Sequence, residues 1–403
     1  MIELLKINEI EKVREELKSI GVDDIAVDLM DRKGVCYAVK VFDCKFYHAN
    51  ILKQEALSVG IDAAVQKDVI TAKTQITDCL ILGDAKRIEK LAEKLKKQNF
   101  EFLRVLAEEL ENALKNVLNA DFVWAFRDKR FDLKDNYLIM GVLNVTPDSF
   151  SDGGEFNSVD AALKRTEEML KEGADIVDVG GESTRPGSEF VSLDEELKRV
   201  VPVVEAIKKR FGSDVVLSVD TYKSKVAEEV LSLGADIIND ISGLGFDKKL
   251  LEVLSKSNCG VVEMHIKGTP KNMQKNPFYE HLISEINSKF REIMDKLRKA
   301  GIDEERIVLD PGIGFGKKFE DNLKILNNIE SFKIFGRPIL IGTSRKSFIG
   351  AILNIENPKD RLFGTIASNV VALLKGASIF RVHDVKAHRE ALKLAKSIMQ
   401  ESF

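Results

Sequence analysis

Residues 172–187 read EGADIVDVGGESTRPG, and this stretch decides the fold. A run of helical periodicity ends at Gly173, a residue free to take positive φ, and the chain turns straight into the apolar segment 175–179 (DIVDV). Glycine, proline and charge follow at once. The same opening recurs as LGADII at 233–238 and KGASIF at 375–380, so the unit is repeated. Working outward, short apolar runs stand at 138–143, 175–179, 215–219, 236–238, 260–264, 306–309, 338–341 and 378–382, each followed by a stretch of helical length. Eight such units in about 265 residues predict an α/β fold, a (β/α)8 TIM barrel over 131–403. A doubly wound open sheet shares the alternation, but it needs fewer strands and offers one crevice.

The first 130 residues read differently. Helical spacing at 7–20 and 85–117, with strand-like runs at 36–43 and 79–82, predicts a small α/β N-terminal domain. It contains no proline and no glycine-rich phosphate loop. The charged stretch 126–137 (FRDKRFDLKDNY) reads as the linker. A compact domain, a dimer contact and a regulatory module all remain open for this region, and 53–62 (KQEALSVGID) names no mechanism.

Composition excludes several classes of protein. Hydrophobic residues make up 44% of the chain and charged residues 31%, with a net charge of −4, which suits a globular core and gives no whole-chain attraction for nucleic acid or an anionic membrane. No apolar run of about 18 residues occurs, and the first residues lack the basic-then-apolar order of a signal peptide, so the expected location is the cytoplasm. Cys36, Cys44, Cys79 and Cys259 form no Cys-x-x-Cys pair and read as ordinary thiols.

In a barrel the residues just past the C-terminal ends of the strands face the active site. Here they are polar. The first strand ends in Asn144 and runs into VTPDSFSDGG (145–154); the second runs into GGESTRPG (180–187). Proline and glycine alone would make these surface turns, but Phe150, Asp152 and Arg185 give them the contents of lids. The later strands end in Asp220, in Asn239 and Asp240, in Asp310 followed by PGIGFGK, in GTSRKS at 342–347, and in Arg381 and His383. One such end would be a helix cap; several converging on one mouth describe a site.

The motifs NVTPDSFSDGG, GGESTRPG, LDPGIGFGK, GTSRKSFIG and RVHD, in this order over about residues 138–403, resemble the dihydropteroate synthase family. The resemblance implies a transferase that condenses 6-hydroxymethyl-7,8-dihydropterin diphosphate with 4-aminobenzoate, giving 7,8-dihydropteroate and diphosphate. It implies Asp220, Asn239, Asp310, Lys346 and Met264 at the pterin, and Asn144, Arg381, His383, Asp152 and Arg185 at the diphosphate. Thr184, Pro186, Phe150 and Ser347 would surround 4-aminobenzoate. Lys346, Arg381, His383 and Asn144 would be catalytic, with Asn144 beside a Mg²⁺ and a homodimer as the assembled form. The residue types suit that chemistry. A carboxylate accepts the paired N–H groups of a pterin edge, an ammonium donates to its carbonyl and ring nitrogen, and cations meet the charge that grows on the leaving diphosphate.

Segment 263–274 departs from the pattern, because Glu263 stands where the family has an apolar residue, and Ile266 and Lys267 differ too. Met264 lines the pterin slot or packs in the core; His265 reads as part of a polar network. A methyltransferase that binds methyl-tetrahydrofolate could share the pterin-binding Asp and Asn residues, but it has no need of the Ser-Arg-Lys-Ser, Arg-Val-His and Ser-Thr-Arg-Pro motifs. A paralogue that binds pterin without turnover would lack a diphosphate-binding residue, and none is lost.

Overall fold

Three antiparallel strands near the N-terminus and eight parallel strands after them fall in two units of the computed structural model, Met1–Asn119 and Ala120–Glu401. It describes all residues except 1–4, 6, 8–9, 120–121, 146–154, 184–187, 189 and 402–403. In the first unit β1 (Cys36–Lys45), β2 (Asp62–Val65) and β3 (Ile76–Asp84) pair in the order β1-β3-β2. Strand alternation turns Val41, Cys79 and Ile81 into a core shared with Leu52, Ile88, Leu91, Leu95 and Leu103 of the helices Phe46–Ser58, Ala85–Leu95 and Glu101–Asn119. The helical spacing read over 85–117 is carried by two helices, Ala85–Leu95 and Glu101–Asn119. Residues 53–62 are the end of a helix, a turn and the first residue of β2.

The expected linker is not one. β4 (Val123–Phe126) and β5 (Lys129–Asp132) form an antiparallel hairpin across a tight turn in which Arg127 takes φ 52°. Its inward side chains, Trp124 and Phe126, are buried, while Lys129 and Arg130 carry the charge that hid the alternation. The hairpin belongs to the second unit, so the division falls at 119/120 rather than at 130.

The barrel strands are β6 (Leu138–Asn144), β7 (Ile176–Gly180), β8 (Leu217–Asp220), β9 (Ile237–Asp240), β10 (Gly260–Met264), β11 (Ile307–Asp310), β12 (Leu340–Ile341) and β13 (Ile379–Val382). They run in the order β11-β10-β9-β8-β7-β6-β13-β12, and a parallel bridge from Leu309 to Ile339 closes the ring. This is a (β/α)8 TIM barrel, with Val177, Val179, Val219, Ile238 and Val261 facing outward under the helices. The inward parity begins with an apolar floor. Leu138, Met140, Ile176, Ile237, Val262, Val308, Leu340 and Ile379 pack against Trp124 and Phe126 of the hairpin. Trp124 Nε1 donates to the Arg306 carbonyl at 2.9 Å, so its one polar atom is satisfied in the buried layer. No described helix is long and apolar enough to cross a membrane.

Candidate active site

Two residues beyond the floor, the same inward parity turns polar on four of five strands, Met264 being the exception. Ile176 is followed by Asp178, Ile237 by Asn239, Val262 by Met264, Val308 by Asp310 and Ile379 by Arg381. Arg381 is the hub of this layer. Its Nε donates to Asp178 Oδ2 at 2.7 Å and its Nη2 to Asp220 Oδ2 at 2.8 Å, while Asn239 Nδ2 donates to the same Asp178 oxygen at 3.2 Å. Burial opposes the guanidinium charge, but Asp178 and Asp220 outweigh it and raise the Arg381 pKa. Burial lifts Asp220 to about 7 against the pull of Arg381, with Asp178, Glu196 and Asp240 adding repulsion.

Lys346 and Asp310 form the other pole. Lys346 Nζ donates to the Ile313 carbonyl and lies 4.6 Å from the centroid of the Phe315 ring. Burial lowers its pKa to about 8, with Asp310 working to raise it. Burial pushes Asp310 up, and Lys346 and the Gly312 N–H, 2.7 Å from Oδ1, pull it back. Gly312 sits at φ 70°, where a Cβ would stand 2.0 Å from the His265 carbonyl oxygen, so only glycine lets this loop lie on the end of β10. Beneath it, buried Lys317 donates to the carbonyls of His265 (3.2 Å) and Phe315 (3.0 Å), with His265 Nδ1 at 3.0 Å. Burial holds both Lys317 and His265 well below their usual values. His265 thus belongs to a polar network, as its sequence context indicated.

His383 lies just past β13, with Nδ1 2.9 Å from Ser344 Oγ, and the Ser344 hydroxyl also accepts the His383 N–H at 3.2 Å. Next to each of them, Arg345 and Asp384 form a two-pronged pair at 3.2 and 2.6 Å, which ties the β12 loop to the β13 loop. Asn144 ends β6 opposite Gly180 of β7. A Cβ on Gly180 would lie 3.7 Å from Asn144 Oδ1 and 3.8 Å from Asp220 Oδ2, so the glycine leaves a gap between them. Ser347 opens the helix Ser347–Leu353 directly after Lys346. Phe150, Asp152, Thr184, Arg185 and Pro186 lie outside the described residues.

Sequence reading missed Asp178, Ser344, Lys317 and the Arg345–Asp384 pair. Asp178 carried a usable signal, since it is an acid inside an apolar run at the parity that faces the barrel axis. The ion pair carried none, because its partners lie in different loops.

A pterin-binding enzyme is what this mouth describes, and the pterin binding enzyme family matches residues 140–383. More narrowly, the chain belongs to the dihydropteroate synthase family. It is 47% identical over 273 residues to the dihydropteroate synthase of Clostridium beijerinckii, which spans 68% of this chain and 98% of that protein. The dihydropteroate synthase structure of Xanthomonas albilineans with 4-aminobenzoic acid superposes with a TM-score of 0.65 at 36% identity, covering 70% of this chain and 99% of that one. A probable bifunctional folylpolyglutamate synthase/dihydropteroate synthase of Haloferax volcanii is 35% identical over 360 residues, 86% of this chain and 41% of that protein. That alignment is longer than the barrel unit and therefore runs into the N-terminal one. The activity is that of the family: a dihydropterin diphosphate and 4-aminobenzoate are joined into dihydropteroate for folate synthesis.

Proposed function

We propose that diphosphate departs before the aryl amine attacks, and that the mouth residues divide this work. Asp310 accepts the N–H and amino groups of the pterin edge, Lys346 donates to its carbonyl and ring nitrogen, and Asp220, Asn239 and Met264 complete the slot. Arg381, His383 and Asn144 meet the diphosphate as the C–O bond at the pterin methylene breaks and charge moves onto the leaving oxygen. The amine of 4-aminobenzoate then forms the C–N bond and sheds its proton. Departure leaves a cation at the pterin methylene, which Ser347 helps present to the aminobenzoate; Phe150, Thr184 and Pro186, assigned to the aminobenzoate, and Asp152 and Arg185, assigned to the diphosphate, lie outside the described residues. The observation that carries this reading is the charge pattern of one layer, with Arg381 held ionised between two buried acids and Lys346 beside Asp310.

Mg²⁺ fits the diphosphate side. A neutral amide oxygen at Asn144, beside the gap over Gly180, suits an ion that keeps most of its waters and arrives with substrate phosphates. Among the described residues no cluster of three or more His, Cys, Asp or Glu forms a protein cage for a metal. When bound, the ion neutralises charge on the leaving group. A homodimer through the late helices is supported by Ile352, Leu353, Phe363, Val371 and Leu374, all exposed on Ser347–Leu353 and Leu362–Leu374. The free thiols fit a reducing cytoplasm.

The order of steps is tested with pterin diphosphate carrying heavy oxygen in the C–O bridge, incubated with enzyme and Mg²⁺ but no 4-aminobenzoate. Scrambling of the label into non-bridging positions is expected, abolished in Lys346→Ala. Retention of the label in the bridge during turnover-competent binding would show that attack and departure are concerted.

A further inference from the structure

Behind the pterin side of the mouth, two carboxyl groups face each other in a dry place. Glu263 and Asp240 are register partners across β10 and β9, and both are fully buried. Each shares the outward parity of Val261 and Ile238, so the pair sits outside the barrel interior, under the helix Leu282–Lys299. Asp240 is already well supplied. Its Oδ1 accepts the Ser242 N–H at 2.7 Å, and its Oδ2 accepts the Ser242 hydroxyl at 2.9 Å and the Leu244 N–H at 2.8 Å. Glu263 has no donor for either oxygen among the described residues. Two buried anions in contact, one of them without a donor, would be prohibitive; a single proton on Glu263, donated to Asp240, removes one of the two charges and gives the protonated oxygen its partner. Burial and the neighbouring acid both raise Glu263, in keeping with that assignment, and Lys289 and Lys296 of the covering helix offset only part of it. On the other side β11 presents Leu309.

The pair sits one residue from the site on each strand. Asp240 follows Asn239, whose amide is held by Asp178, and Glu263 precedes Met264. The turn that Asp240 caps returns to the same place, since Gly243, at φ 57°, approaches so closely that a Cβ would stand 2.8 Å from the Met264 carbonyl oxygen. The carboxyl pair, the capped turn and the two strand ends are therefore one mechanical unit. We propose that Glu263 is a positioning residue for the pterin site, its carboxyl donating to Asp240 across β9 and β10 and so setting the strand ends from which Asn239 and Met264 reach the substrate.

This inference rests on the assignment of Asn239 and Met264 to the pterin, and its test separates the two. Full-length Glu263→Gln, Glu263→Leu and Asn239→Ala enzymes are compared by steady-state kinetics with each substrate varied. Glutamine keeps a donor for Asp240; leucine matches the apolar pattern of the family and has none. Expected for Glu263→Leu is a pterin KM raised about five- to tenfold, with kcat and the 4-aminobenzoate KM within about twofold, the signature of lost ground-state positioning. Glu263→Gln restores the pterin KM to within about twofold of the parent. Should the leucine and glutamine enzymes share one pterin KM while Asn239→Ala raises it, the positioning role is overturned and the site stands. An unchanged pterin KM in Asn239→Ala would remove the site assignment and this inference with it. Circular dichroism melts confirm that each variant is folded, and the glutamine variant keeps the comparison valid if the leucine one is not.

Discussion

The floor and the mouth of this barrel are built by the same strands at the same inward parity, two residues apart, yet they obey opposite rules. At the floor, Ile176, Ile237, Val262, Val308 and Ile379 meet Trp124 and Phe126 in an apolar plug. At the mouth, the next inward positions are Asp178, Asn239, Met264, Asp310 and Arg381; the acids Asp178 and Asp310 are buried, and Arg381 is paired to Asp178. Apolar burial at the floor stabilises the fold; ionisable burial at the mouth opposes folding unless partners offset it. The contrast separates what holds the barrel shut from what it holds open for chemistry. Substitutions in the two layers should therefore move different observables.

The largest expected effect is on stability. Trp124→Ala removes the biggest side chain of the plug and leaves the Arg306 carbonyl without its donor, so a loss of about 3–5 kcal/mol is expected in denaturant unfolding. Turnover per folded molecule should stay within about twofold, because catalysis depends on the other layer. A Trp124→Ala enzyme as stable as the parent would break the division between layers.

The converse is Lys346→Ala, expected to lose about 10²–10³ in kcat/KM for the pterin substrate. Its effect on stability should be neutral or favourable. Burial lowers the folded pKa of Lys346 to about 8, below the value of an unfolded lysine, so at pH 7 the charged group costs stability, and the cost fades as pH rises through and beyond 8. Removing the side chain relieves it. Thermal melts at pH 7 check the sign, and a melting temperature that falls by several degrees would assign Lys346 to the scaffold.

A smaller effect follows from the same groups acting together. Asp220 is raised to about 7 and accepts best when ionised, whereas Lys346 donates only while protonated, up to about 8. The pterin kcat/KM should therefore describe a narrow bell, falling about tenfold for each pH unit below 7 and above 8. Asp220→Asn should flatten the acid limb and leave the alkaline one in place. Two unchanged limbs would exclude Asp220 from the profile.

Much of this was legible beforehand, for physical reasons that differ from element to element. All eight barrel strands were visible because a strand buried on both faces must be a continuous apolar run, and each ended where the chain turned polar. Asp220, Asn239, Asp310 and Arg381 stood out by position at those ends and Lys346 through the family resemblance, and the fold brings them to one mouth. Asp178 was legible too, as the one acid at the inward parity of the run that revealed β7, but a reading confined to strand ends passes over it. The β4–β5 hairpin was hidden by its exposed face, since Lys129 and Arg130 outweighed two aromatics that alternate inward over only a few residues. The Glu263–Asp240 contact needs the register of two strands, which no single run of sequence contains.

The smallest expected effect concerns the unit with no counterpart in the barrel at all. The Clostridium beijerinckii synthase is matched over nearly its whole length by only about two thirds of this chain, so a synthase of that family is complete without a unit like Met1–Asn119. The N-terminal unit has its own sheet, its own helices and a separate core, and every side chain named above at the mouth lies in the other unit. Residues 120–403 expressed alone should therefore bind pterin and turn over within about twofold of the full chain, a difference no larger than that of a substitution distant from the chemistry. Measured kcat and both KM values for the two proteins, at matched protomer concentration, decide the matter. A barrel that folds and binds pterin but has lost turnover would mean that the N-terminal unit supplies a group to the reaction, and the contrast between floor and mouth would then be only part of how this enzyme is built.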